Sequence, residues 1–365
     1  MARQSTNTRF NERLNFADGD AFFAEVRQRV NAYFKDSKAR KRDCPRMYLK
    51  SAIIMAAFAA TWVLLVLVAS TWWQAIPLAV LMGLVIAGIG FNIEHDGGHN
   101  AFSSRRWINR TTALTLDLVG ASSYIWRWKH AVQHHTHVNI KGWDSDIELS
   151  PFGRVSPHAP HRWYFRWQHL YLWVLYGVLV LKWHVYDDFR CIITGKIGDR
   201  PFPRPKGWAL AELLLGKAVS FAIFIGIPMI FHPIWVVLVF YVFTFAIVGL
   251  LLSVVFQLAH CVETAEFPQP DPEDGSMRNS WAVHQLENTA NFARNSRLVT
   301  WFLGGLNYQI EHHLFPSICH TNYPAIAAIV RQTCEEFEVK YNEFPTFLAG
   351  IASHYRWLKR HGQPA

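Results

Sequence analysis

The 365-residue chain has no Asp, Glu, Lys or Arg between Lys50 and Glu94, and none between Lys217 and Glu263. Each charge-free stretch is long enough for two helices of about 20 apolar residues, the length that spans a bilayer. Charged residues make up only 17% of the chain against 51% hydrophobic, which argues against an ordinary soluble domain. Cysteine is scarce too. Cys44, Cys191, Cys261, Cys319 and Cys334 are odd in number and include no CxxC pair, so neither a disulfide framework nor a thiolate metal site is expected. They fit soluble parts facing a reducing compartment. Met1–Phe16 lacks the apolar core of a secretory signal, and no internal repeat stands out.

What is present is apolar and aromatic. Sixteen tryptophans suit a chain with much surface at a membrane interface. The first charge-free stretch reads as spans at about 52–70 and 75–91, broken at Trp72, Trp73 and Pro77. The second reads as spans at about 211–231 and 234–257, broken at His232-Pro233, with Lys217 snorkelling. A fifth apolar run, Leu170–Leu181 within Trp163–Trp183, is half the spanning length and is expected as an interfacial helix. The expected fold is therefore an all-α integral membrane protein, with four transmembrane helices as two hairpins under a helical cap. Its parts are a basic, amphipathic segment at 1–50 (with helix and linker over Asn7–Lys41), a main domain at 51–347 and a tail at 348–365.

The net charge is +9, but the basic residues sit beside the apolar runs, as over Lys35–Lys50 and at Arg105, Arg106 and Arg110. That placement excludes a nucleic-acid stripe and favours a cytoplasmic membrane face, since the short far-side loops carry no Lys or Arg. Both termini and the large loops are then expected in the cytoplasm. Pro268–Gly275 reads as a solvated acidic connection.

Histidine is the abundant functional residue. Nine of the 18 fall in four places: His95 and His99; His130, His134, His135 and His137; His260; and His312-His313. Residues four apart share a helix face, so His95/His99 and His130/His134 can each serve one metal region, with Gln309 on the face of His312 and His313. His135 and His313 project differently and could reach a second ion. Imidazole suits Fe, Zn, Cu and Ni, and eight histidines are too many for one ion and about right for two. With four spans all these clusters meet on one side. His158, His161, His169, His184, His232, His284, His320, His354 and His361 are expected to have ordinary hydrogen-bonding roles.

These motifs resemble the membrane fatty acid desaturase family. His95-Asp-Gly-Gly-His99, His130-Ala-Val-Gln-His134-His135 and Gln309-Ile-Glu-His312-His313 follow that family's three histidine boxes in order, between paired hairpins. Trp128 to His130, Asn139 with Asp144 and Asp146, Phe256–His260, Trp281–Phe292 and Gly305–Pro316 also look alike. The resemblance covers roughly Lys50 to Phe347. It implies two iron ions, with ligands His95, His99, His130, His134, His135, His260, His312 and His313, and Gln309 where many relatives have a histidine. The glutamine form is similar to the front-end, linoleoyl-type subgroup. Many of those relatives carry a fused haem domain with an HPGG motif; residues 1–365 have no such motif, so no bound haem is expected. Electrons are expected from a separate ferredoxin, or a small cytochrome with its reductase.

The implied reaction takes dioxygen and two electrons and leaves water and a cis double bond in a long acyl chain, carried on coenzyme A, a carrier protein or a lipid. Asp96, Asp144, Asp146 and Glu311, with His137, are expected to hydrogen-bond the ligand imidazoles, and Asp117 is a further candidate. Arg127, Lys129 and Lys141 could meet a phosphate-bearing head group. The alternatives are an acyl-chain hydroxylase on the same iron scaffold and, more distantly, a histidine-rich metal transporter. A transporter would place its ligands near mid-membrane, whereas these boxes lie at span ends.

Overall fold

The computed structural model describes residues 14–364. Part of the predicted Asn7–Lys41 segment, residues 7–13, lies outside them. The rest forms α1 (Ala21–Ser37), capped by the Asp20 carboxylate accepting from the Phe23 amide. It buries Phe22, Val26, Val30 and Phe34, spaced by four, against Ile326 and Val330 of a later helix.

Among the described residues, four helices are long and apolar enough to cross a membrane: α2 (Pro45–Val68), α3 (Trp72–Gly98), α4 (Trp208–Phe231) and α5 (Ile234–His260). α2, α3 and α4 each begin or end beyond their charge-free core, whereas α5 lies within its own. Pro45 at the first helical turn starts α2 early, because its missing N–H would be unpartnered there anyway. The first histidine motif, expected just after the second span, is the last turn of α3 itself. Of the apolar windows, 56% is buried in α3 but only 28% in α2 and α4. The second span is thus the innermost, and it carries His95. Leu67, Val68, Trp72, Trp73, Trp235 and Leu238 face outward, as lipid contact requires.

The fifth apolar run is helical over Gln168–Tyr176 and Val178–Lys182, continuing to Thr194. One side packs on α5: a Cβ on Gly249 would collide with the backbone of Tyr176 and Gly177, so glycine is what permits this close approach. The opposite side exposes Leu170, Val174 and Val178. Lys217, inside α4, does not reach the surface. It pairs with Asp188 at 2.7 Å and donates to the carbonyl of Gly120, also at 2.7 Å, clamping this run to the bundle. Breaking one partner of such a buried pair typically costs about 3–5 kcal/mol.

Among the described residues the remainder is mostly helical, with two short sheets, Lys196–Ile197 antiparallel to Arg200–Pro201 and Asn291–Phe292 parallel to Glu343–Phe344. The last helix, Phe347–His361, buries His354, Trp357 and Leu358, and the Leu358 carbonyl accepts from Gln168.

Candidate metal centre

Four segments bring the histidines to one place. His95 lies in the last turn of α3 and His99 follows it; His130, His134 and His135 lie on a helical run over Ser123–His137; His260 ends α5; and His312 and His313 lie on Gln309–Leu314. Gly97 and Gly98 between the first two are required. A Cβ on Gly97 would strike Thr112, and one on Gly98 would strike the Trp126 ring.

The local helix geometry changes which histidines meet. Arg127–His134 is wound with wide π-type turns, and the His135 amide donates to the His130 carbonyl five residues back. Residues five apart therefore share a face. His130 Nε2 lies 3.3 Å from His135 Nε2, while His134 turns away to His260 and His313. His130 and His134, expected together from a spacing of four, are divided between two groups. One is His95, His99, His130 and His312; another is His134, His260 and His313; and His135 with His312 and His313 joins them. Within each group the potential donor atoms lie within 4.8 Å of one another.

The donor set fits metal. Nε2 of His95, His99, His134, His312 and His313, and Nδ1 of His135, are buried without a hydrogen-bond partner, as is Oε1 of Gln309. Unpartnered buried polar atoms cost about 1–3 kcal/mol each, so so many converging on one space require a common occupant. Several rings are fixed from behind. Asp144 Oδ2 lies 2.9 Å from His134 Nδ1, Gln285 Oε1 2.8 Å from His313 Nδ1, and the Asn288 carbonyl 3.2 Å from His260 Nδ1. These oxygens only accept, so Nδ1 carries the hydrogen and Nε2 keeps its lone pair for a metal. Tyr323 OH takes the same place behind His312 at 3.2 Å.

The electrostatics agree. Burial, then the neighbouring rings, pushes His99, His130, His135, His312 and His313 well below the ordinary imidazole value, leaving them neutral. Neutral imidazole is the ligating form. Burial also presses on His134, but the Asp144 carboxylate outweighs it and raises that ring.

Not every predicted neighbour orients a ligand. Asp144 does. Asp96 instead holds His320 at 2.9 Å, with Lys50 on the other ring nitrogen at 3.1 Å. Glu311 accepts from Asn291 and Tyr341, and Asp146 pairs with Lys129 at 2.7 Å. His137 reaches the Gln133 carbonyl and packs on Trp143, outside the three groups. Asp117 accepts from the Ser123 amide. Gln309 Nε2 lies 3.1 Å from His260 Nε2, at the edge of the second group. The sequence reading missed Gln285, Asn288 and Tyr323. Gln285 and Asn288 lie within the family-like segment Trp281–Phe292, where no residue was singled out, and Tyr323 lies outside it.

The fatty acid desaturase family model matches residues 70–345. The chain is 38% identical over 350 residues to the sn-1 linoleoyl-lipid 6-desaturase of Arthrospira platensis, covering 95% of this chain and 94% of that one. It is 38% identical to the protein of the same name from Synechocystis sp., with 96% and 98% covered. The acyl-lipid (8-3)-desaturase of Physcomitrium patens is also 38% identical, with 95% and 72% covered. With four helices long and apolar enough to cross a membrane and a buried histidine cluster that could hold metal, this chain belongs to the fatty acid desaturase family, as a membrane oxidoreductase that desaturates fatty acyl chains.

Proposed function

We propose that the chain is an acyl-lipid desaturase of the linoleoyl type, placing a cis double bond between an existing one and the carboxyl end. The names of its relatives and the Gln309 form of the third box support that subgroup. In this reading His95, His99, His130 and His312 hold one iron, and His134, His260 and His313 hold the other, with Gln309 beside the second and His135 between them. Two irons supply the dioxygen chemistry that no amino-acid side chain has. The protein's part is to hold neutral imidazoles by their far nitrogens, exclude water and present the chain's methylene groups to the site. The electron source is a separate ferredoxin, or a small cytochrome with its reductase, since no side chain in the cluster carries electrons. The site and both termini face the cytoplasm, as the placement of Lys and Arg supports. Residues 51–347 make up the catalytic unit, flanked by 1–50 and 348–365.

The observation that carries the metal assignment is the set of unpartnered ring nitrogens from three segments, gathered with His260 from a fourth. The test is expression in a host lacking such desaturases, with fatty acids profiled by gas chromatography and mass spectrometry and iron measured in the purified protein. A new double bond and two irons per chain are expected, both lost in His312→Ala. A hydroxylated product, or a protein that purifies with zinc alone, would overturn the reading.

A further inference from the structure

The linker from the last turn of α1 to the first turn of α2 carries an uncompensated positive charge. Lys35, Lys38, Arg40, Lys41, Arg42 and Arg46 stand against Asp36 and Asp43. Among the described residues none of the six cations forms an ion pair. All but Arg42 are exposed. Asp43 is engaged elsewhere, accepting from Ser103, from the Ser104 amide and from Tyr48.

This linker is fixed to the loop that follows His312 and His313. The Cys319 amide donates to the Lys41 carbonyl at 2.8 Å, Arg42 Nε to the Ser317 carbonyl at 3.0 Å, and Asn322 Nδ2 to the Arg40 carbonyl at 3.0 Å. The next residue, Tyr323, is buried, and its hydroxyl lies 3.2 Å from His312 Nδ1. Two neighbouring residues therefore connect the charged surface to a ring of the metal site.

Acidic residues gather at the other end of α1. It runs antiparallel to the helix Tyr323–Glu336: Phe22 packs on Phe337, Arg29 binds Glu25 and Glu336, and Arg40 meets Asn322. The first half of that helix, Tyr323–Val330, has no charged residue and exposes Pro324, Ala325 and Ala328. A small apolar surface thus lies beside the cations, the layout of a brief electrostatic encounter over a small area. Anchoring to lipid head groups needs the cations alone. It has no use for a linker bonded to the loop behind His312, whereas electron transfer, which weakens steeply with distance, does.

Building on the desaturase reading, we infer that this linker, with the apolar start of helix Tyr323–Glu336, is the docking surface for a ferredoxin, a small acidic carrier of single electrons. Its electron enters the histidine site past Asn322 and Tyr323. Each visit oxidises one reduced iron–sulfur cluster by one electron and reduces the metal site by one. Two visits supply the pair that each double bond consumes.

The test measures binding of a plant-type [2Fe–2S] ferredoxin to the iron-loaded full chain in phosphatidylcholine nanodiscs, without dioxygen or acyl substrate. Wild type should bind, and more weakly as salt is added. Lys38→Glu/Arg40→Glu changes two exposed side chains and should weaken binding at least about tenfold. Arg27→Glu/Arg278→Glu makes the same change of charge at the acidic end and should bind as wild type does. With substrate and dioxygen present, the ratio of ferredoxin-driven to dithionite-driven turnover should fall by a similar factor in the first variant. Being a ratio within one preparation, it is insensitive to partial misfolding. Unaltered binding in Lys38→Glu/Arg40→Glu, or equal weakening in both variants, overturns the inference and leaves the desaturase reading intact. Unaltered binding, with turnover lost only in nanodiscs containing phosphatidylglycerol, assigns the linker to lipid head groups and likewise overturns it. No new double bond with either reductant removes the desaturase reading, and the inference with it.

Discussion

Most histidines in the cluster and most of those elsewhere in this chain differ in how their ring nitrogens are satisfied. Outside the cluster, His158 meets the Phe267 carbonyl at 2.7 Å, His232 the Val66 carbonyl at 2.7 Å, and His284 the Val138 carbonyl at 3.0 Å. His354 is the clearest case. Its Nδ1 donates to the Cys261 carbonyl at 2.7 Å and its Nε2 accepts from Tyr176 at 2.8 Å, so a fully buried ring is satisfied on both sides. In the cluster, six equally buried rings keep a nitrogen without a protein partner, His260 with its Asn288 and Gln309 contacts being the exception, and the potential donor atoms of each group lie within 4.8 Å of one another. Burial does not distinguish the two regions. What differs is how many bare nitrogens come together: His169 Nδ1 and His184 Nε2 are also buried without a partner, but singly, and a protein leaves so many in one place only where something else completes them.

That contrast can be broken most severely at His312, which belongs to two of the three histidine groups. His312→Ala should reduce desaturation to background and remove most of the iron, read by metal analysis and product profiling. His354→Gln, equally buried, should keep both. A smaller effect is expected one step behind the metal. Gln285→Leu takes the acceptor from His313 Nδ1 while leaving every proposed ligand in place. Loss of such an orienting partner typically costs about 10–100-fold in metal affinity or activity. Faster iron loss to a chelator, with the full-length protein still folded, would check it; wild-type retention would show that the ring is held by packing alone.

The four spans were legible because a bilayer demands long charge-free runs, and nothing else in a sequence looks like them. Seven of the eight histidines stood out by spacing, and His260 joined them only through the family resemblance. Their grouping was not legible, because the Arg127–His134 stretch departs from the ordinary helical repeat and exchanges the partners of His130 and His134. Nor could the sequence show which acids orient ligands. Asp96 and Glu311 are immediate neighbours of His95 and His312, yet helix geometry points them outward, to His320 and to Asn291 with Tyr341. The residues that do fix ligands, Gln285 and Asn288, come from a separate helix, Trp281–Glu287, and its end. They lie beside the histidines only after folding.

The satisfied histidines also differ from the cluster in what acid does to them, and this separates folding from metal loss. Burial takes His354 from an ordinary value of 6.5 to about 4. A base with a lowered value in the folded state is protonated more readily when unfolded. Its contribution is therefore complete above about pH 6.5 and is lost as pH falls toward 4. The difference is worth roughly 3 kcal/mol. Thermal unfolding in detergent should accordingly fall between pH 6.5 and 4 even in metal-free protein, and His354→Gln, which keeps a donor and an acceptor, should flatten that slope. The smallest effect belongs to the far end of the bundle. His232→Ala deletes one hydrogen bond to the α2 carbonyl of Val66, a loss of about 1 kcal/mol. It should lower thermal stability slightly and leave turnover and iron content unchanged. A large loss of activity from that substitution would mean that the cavity there, lined by His232, takes part in holding the acyl chain.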